Sequence, residues 1–200
     1  MGDGDESKAP KEGLRQRKRQ ETLQRIRDRG ICLFIEKGYT ATTLEDIAAA
    51  AGISRRTFFY YFKSKDEILL SLQGDVGNML VEAIRRVPEG KRPLDAIREA
   101  AVAVCASIPT DDMVAIDRLM RESEAVQARK QASYVEQEKA LFTALRERWP
   151  EPERATGLRL VAMLAIGAMR LAAETFNREG GKRSMPDLLN EAFDALEGEM

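Results

Sequence analysis

Apolar residues recur at intervals of three and four along most of the chain, and no stretch alternates with the period of two that a strand requires. Helix formers dominate and β-branched runs are missing, so the pattern is all-α, with about nine helices and no internal repeat. Leu14 to about Lys37 forms the first, turning Ile26, Gly30, Leu33 and Phe34 inward. A short second helix carries Leu44, Ile47, Ala48 and Ala51 on one side. Thr43 is placed to cap it, with Asp46 three residues on completing a short-armed capping box. Gly52 stops that helix, because glycine enters the left-handed region without a Cβ clash. Ile53 plugs the turn and Ser54 caps a third helix. There Phe58 and Phe62, with Tyr61 beside them, make an inward stripe, while Arg55, Arg56, Phe59 and Tyr60 point away from it.

Longer periodic segments follow. Ser64 caps a fourth helix from about Lys65 to Val87, whose Gly74 and Gly77 lower its local stability. Pro93 opens a fifth, to Ile108. The sixth runs from Asp111 to about Arg121 and the seventh from Ala125 to Trp149. Pro150 and Pro152 precede an eighth from Glu153 to Asn177, the most apolar of all. Gly180 and Gly181 end it, and Pro186 starts a ninth, to about Glu197. Residues 1–13 are polar and read as a disordered tail, and as no signal peptide.

Charge changes the picture more than composition does. The net charge of −1 hides 14 bases against 9 acids in residues 1–65, and 18 against 24 in residues 66–200. A basic head on an acidic body fits an electrostatic footprint confined to one module. From Ser54 to Lys65 there are four bases and no acid. A charge run alone would read as the solvated face of a helical hairpin. Cap, glycine turn, second cap, basic helix and Lys63-Ser64-Lys65 exit in one register point instead to a helix placed in the DNA major groove. The start of the first helix (Arg15, Arg17, Lys18, Arg19) is equally basic, and suits backbone phosphates, the minor groove or solvent alike.

The chain has no histidine, no glycine-rich phosphate loop and no metal-ligand spacing, which argues against an enzyme and against a bound metal or cofactor. Cys32 and Cys105 lie on apolar helical faces in different modules and read as buried free thiols. The longest uncharged apolar run, Leu160–Met169, is half of what a bilayer crossing needs. The expectation is a soluble cytoplasmic protein with no membrane partner.

Gly38-Tyr39, Thr42-Thr43-Leu44, Ile47-Ala48, Ala51-Gly52-Ile53-Ser54 and Thr57 through Lys65 resemble the DNA-binding domain of the tetracycline-repressor (TetR-type) family, over residues 20–80 with the motif at 43–62. The resemblance implies a helix-turn-helix domain at 14–65 and a ligand-binding and dimerisation domain at 66–200. It implies a homodimeric regulator, most simply a repressor released from a palindromic operator by a small molecule. A constitutive DNA binder without an inducer and a helical enzyme are the alternatives. Thr43, Ser54, Arg55, Arg56, Thr57, Phe59, Tyr60, Tyr61, Lys63 and Lys65 are the expected DNA-binding residues. Arg55, Arg56 and Thr57 would serve base edges, and Thr43, Tyr60, Tyr61 and Lys65 phosphates. Three positions depart from the family pattern. Arg56 replaces a small residue, Phe59 replaces a tyrosine, and Gly30 replaces an alanine at about 1 kcal/mol of helix propensity.

Beyond residue 80 the resemblance carries only a plan. Small residues Ala162, Ala165, Gly167, Ala168 and Ala172 on the eighth helix, and Leu188, Leu189, Ala192, Phe193 and Leu196 on the ninth, suit a four-helix dimer interface or simply a core. Met79, Met113, Met120, Tyr134, Phe142, Met163 and Met169 are soft enough to line a ligand pocket. Arg118, Arg121, Glu122 and Arg170 could anchor a polar group there, although ordinary packing and surface ion pairs use the same residues.

Overall fold

The computed structural model describes residues 9–199, apart from Glu89 and the side chains of residues 9–12 and Gln73. The part of the expected tail at residues 1–8 lies outside them. The chain divides into two compact units, residues 1–69 and 70–200.

In the first unit, α1 spans Ala9–Lys37, α2 Leu44–Ala50 and α3 Arg55–Tyr61, and α4 begins at Asp66. Residues 9–13, expected in the tail, continue α1 instead. The sequence that follows them is rich in Arg, Lys, Gln and Glu, all good helix formers, and Arg17 pairs with Glu21 one turn on at 3.0 Å. Ile26, Phe34, Ile47, Phe58, Phe62 and Ile68 are buried, as the three-and-four spacing requires. Phe34 meets Tyr39 edge to face, their centroids 5.0 Å apart. Thr42 is almost fully buried, and its hydroxyl donates to the Gly38 carbonyl at 2.8 Å, closing the loop between α1 and α2.

The second unit holds the rest of α4 (Asp66–Arg86), then α5 Pro93–Ala106, α6 Thr110–Arg121, α7 Glu124–Arg148, a 3-10 turn Pro152–Arg154, α8 Ala155–Arg178 and α9 Met185–Gly198. α8 packs against α5, α7 and α9, and α5 also packs against α9. Ala162, Ala165, Ala168 and Ala172 bring α8 close to its neighbours, and Leu158, Ile166 and Phe176 fill the space between. Gly181 follows α8 at φ +74°, and its N–H reaches back to the Phe176 carbonyl at 3.0 Å. A Cβ there would stand 2.6 Å from Val114 Cγ2, so the turn needs glycine twice over. The segment Pro152–Arg178 is long and apolar enough to cross a bilayer by length and composition. One side of it serves this core, while Leu160, Met163, Leu164 and Leu171 form a second, exposed row.

Candidate nucleic-acid interface and ligand cleft

Local chemistry builds the α2–α3 pair. The Thr43 hydroxyl accepts the Asp46 N–H at 3.1 Å, and the Asp46 carboxylate accepts the Thr43 N–H at 3.0 Å, a reciprocal capping box. The Thr43 backbone bond, then the Thr43 hydroxyl and Lys37, hold the Asp46 carboxyl below the usual carboxylate range. α2 ends where Gly52 takes φ +66°, which lets the Ile53 N–H return to the Ala48 carbonyl at 2.9 Å. Arg25 of α1 donates to the Ala51 carbonyl at 3.0 Å and fixes the same turn. Ser54 then caps α3, accepting the Thr57 N–H at 3.0 Å.

α3 buries Phe58 and Phe62 and presents Arg55, Arg56, Phe59 and Tyr60 outward. Tyr60 is 69% exposed, more than Phe59 at 45%. Arg55 pairs with Glu45 at 2.7 Å and lies 5.7 Å from the Phe59 ring centre. Arg56 has no ion-pair or hydrogen-bond partner among the described residues. The Ser54 and Thr57 hydroxyls are 2.8 Å apart and satisfy one another. Tyr61 is half-buried against Tyr60, and Lys63 is exposed.

Lys65, expected to serve a phosphate, is engaged by backbone carbonyls of its own unit. Its ammonium group donates to the carbonyls of Tyr39 at 2.7 Å and Thr42 at 3.0 Å, and lies 4.4 Å from the Tyr39 ring centre. The Tyr39 hydroxyl in turn donates to Asp66. Lys65 therefore ties the start of α4 to the loop after α1. Cys32 is exposed on α1, against the expectation of a buried thiol.

A cleft of about 810 Å³ lies within the second unit, between α4, α5, α6, α7, α8 and α9. Met113, Met120, Tyr134, Met169 and Arg170 line it, as do Cys105 and, on the flank of α4, Gly74 and Gly77. The other candidates lie elsewhere. Met79 faces solvent one position round from Leu80, Met163 sits in the exposed row of α8, and Phe142 packs on the core beneath Arg159. Arg118, Arg121 and Glu122 are exposed at the end of α6 and do not line the cleft.

Sequence reasoning passed over Asp117, which is 8% exposed and lines the cleft. Asn177 donates to it at 2.6 Å and Lys130 stands 3.5 Å away. Arg121 approaches its second oxygen at 2.6 Å off the hydrogen-bonding direction, so that contact is ionic. Its spacing, four after Met113 and three before Met120, was the available signal. Burial pushes the Tyr134 phenol up and the Cys105 thiol up to about 11, so both are neutral near pH 7.

Two capped helices around a glycine turn, the second outward-facing and basic, define a helix-turn-helix protein. The model for bacterial regulatory proteins of the tetR family matches residues 26–72, and that for the MftR C-terminal domain matches residues 91–200. The chain belongs to the tetR family of transcriptional regulators. It is 34% identical over 105 residues to the HTH-type transcriptional regulator TcmR of Streptomyces glaucescens, covering 52% of this chain and 46% of that protein. It is 30% identical over 73 residues to IcaR, the negative transcriptional regulator of the biofilm operon icaADBC in Staphylococcus epidermidis, covering 36% and 40%. The aligned stretches thus span less than half of these curated relatives. Thermus thermophilus FadR, a repressor solved with lauroyl-CoA, shares the fold at a TM-score of 0.62 and 22% identity, over 87% of this chain and 92% of that one.

Proposed function

We propose that this chain is a cytoplasmic, homodimeric repressor that leaves a palindromic operator when a small molecule fills the cleft. The observation that carries the reading is the pairing of an outward basic helix, α3, with a cleft of about 810 Å³ in the other unit. Arg55 and Arg56, in the first turn of α3, suit guanine edges, with Thr57 beside them. Tyr60, Tyr61 and Lys63 suit phosphates, as does the N-terminal turn of α2 at Thr43. Lys65 acts within the first unit by tying the residues that open α4 to the loop after α1. A constitutive binder would have no use for the cleft. An enzyme finds no support in the neutral Cys105 and Tyr134, in a chain without histidine, or in relatives named as regulators. The complex of the Thermus protein with lauroyl-CoA supports a ligand-responsive role without identifying this chain's ligand.

The exposed row of α8 (Leu160, Met163, Leu164, Leu171) supports a homodimer through α8 and α9. At about 100° per residue Leu160, Met163, Leu164 and Leu171 fall within roughly 100° of one another around α8, so they share one side of the helix. Selection from a random duplex library tests the reading. The expected product is an inverted repeat whose half-sites lie about 34 Å apart or a multiple of that. A small molecule that raises the melting temperature should also release it. Enrichment of unrelated single sites, or none, would overturn the proposal.

A further inference from the structure

The stripe that packs α1 against its own unit does not end where the unit ends. Ile26, Gly30 and Phe34 are its buried part. At 3.6 residues per turn, Arg19 and Arg15 point within about 20° of Ile26, up to about 16 Å farther along the axis. Thr22 and Leu23 are half-buried, and Arg19 and Arg15 exposed. A face that is apolar over the core thus turns to arginine on the turns beyond it. Between Leu14 and Arg25 there are five bases and one acid, and that acid, Glu21, is held by Arg17. Lys18 and Arg15 have no ion-pair partner among the described residues. The Arg19 guanidinium lies 5.8 Å from the ring centre of Tyr60, the most exposed aromatic on α3. So the arginine stripe runs on from the outward face of the recognition helix.

We propose that the N-terminal overhang of α1 is a second DNA-contacting element, in which Arg15, Lys18 and Arg19 grip backbone phosphates flanking each half-site. Charge complementarity selects the partner. Three exposed cations beside a basic recognition helix match a polyanion that the same helix already engages, and the side chains along the helix face carry the interaction. Tyr60 is the hinge of the contact, because its ring supports Arg19 by a cation–π interaction while its hydroxyl stays available to phosphate. This extends the site beyond the helix-turn-helix motif and lengthens the protected DNA without adding base readout. The inference rests on the DNA-binding reading above.

The test uses the full chain and a duplex of about 30 base pairs selected by the wild-type protein, beside a shortened duplex that ends at the half-sites. Arg15→Ala/Arg19→Ala should weaken binding to the long duplex roughly tenfold at 0.1 M salt and flatten the slope of log K against log salt by about two units. On the short duplex wild type and variant should bind alike. Arg15→Lys/Arg19→Lys should keep most of the slope, and circular dichroism should show unchanged helix content in both variants. Equal affinities and slopes on the long duplex would overturn the proposal. So would an equal loss on both duplexes, since it would mean that the overhang acts through the head's own fold. Arg55→Ala/Arg56→Ala separates the two readings. If that variant binds like wild type, it is the recognition-helix assignment that fails.

Discussion

Gly30 of α1 lies directly beneath Ile68 of α4: a Cβ at Gly30 would stand 2.9 Å from Ile68 Cδ1 and 3.4 Å from its Cγ2. By propensity alone glycine here costs the helix about 1 kcal/mol. The close approach reverses that reading, since Ile68 is fully buried and has little room to turn. Gly30→Ala should destabilise the protein by roughly 1 kcal/mol net, overpacking outweighing the propensity gain. Adding Ile68→Val removes the offending methyl. Chemical denaturation of the four proteins in the cycle should show favourable coupling of about 1 kcal/mol, and additive effects would refute the contact as the cause.

Glu45 holds Arg55 on the surface that is proposed to meet DNA, so operator binding has to break that pair. An exposed pair of this kind is worth about 0.2–1 kcal/mol. Glu45→Gln should therefore tighten DNA binding by up to about fivefold, whereas Arg55→Ala should weaken it and Arg56→Ala should relax base preference at one position per half-site. Mobility-shift titrations decide the matter. Weaker binding by Glu45→Gln would show that Glu45 orients Arg55 rather than competing for it.

Lys65 supplies a prediction opposite to the one its sequence context suggests. A lysine at a phosphate would contribute about one unit of salt slope. Here its ammonium is spent on the Tyr39 and Thr42 carbonyls. Lys65→Met should lower stability by about 1–3 kcal/mol, through carbonyls left without a partner, and change the salt slope by well under half a unit. A slope lowered by a full unit with stability unchanged would restore the phosphate role.

The capping box gives the head an acid sensitivity. The folded-state pKa of Asp46 is depressed, so its contribution to stability is fully present above the unfolded carboxylate pKa. That contribution fades as pH falls toward and through the depressed folded value. Asp46→Asn should lose part of the wild-type stability at neutral pH and show a flatter decline in acid. Thermal melts from pH 7 to pH 3 would reveal it, and parallel curves would exclude Asp46 as a source.

Gly74 and Gly77 line the cleft on α4, and an added methyl meets open space at the first and ordinary contact with Gln137, at 3.8 Å, at the second. Gly74→Ala/Gly77→Ala should therefore leave the fold and DNA binding largely intact while stiffening the helix. Titration of a stabilising small molecule into the protein–DNA complex should give a shifted release curve. Identical curves for wild type and variant would place the signal outside these glycines.

What was legible in the sequence was local. Thr43, Gly52 and Ser54 announce their caps and turn within four residues, and Phe58 with Phe62 fixes the inner face of α3 by spacing alone. The contacts that escaped it join residues far apart. Nothing near Lys65 reveals that its ammonium ends on a carbonyl 26 residues upstream, or that Arg19 reaches Tyr60. Membership of the cleft failed for a finer reason. Met79 and Leu80 differ by one residue, yet about 100° of rotation puts one in solvent and the other against the cleft. Residue type proposed Met79, and only the helix phase against its neighbours puts Leu80 there instead.

The two cysteines give the molecule a chemical handle on each unit. Cys32 is open to solvent on α1, whereas Cys105 stands in the wall of the cleft with its thiol pushed up to about 11. Thiolate is the reactive species, so at neutral pH a maleimide should mark α1 first and leave the cleft untouched. A fluorophore at Cys32 would then report from the DNA-binding unit, and alkylation of Cys105 at alkaline pH would report how far a bound molecule shields the cleft. The native sequence thus carries separate optical and footprinting probes for its two units without an engineered residue.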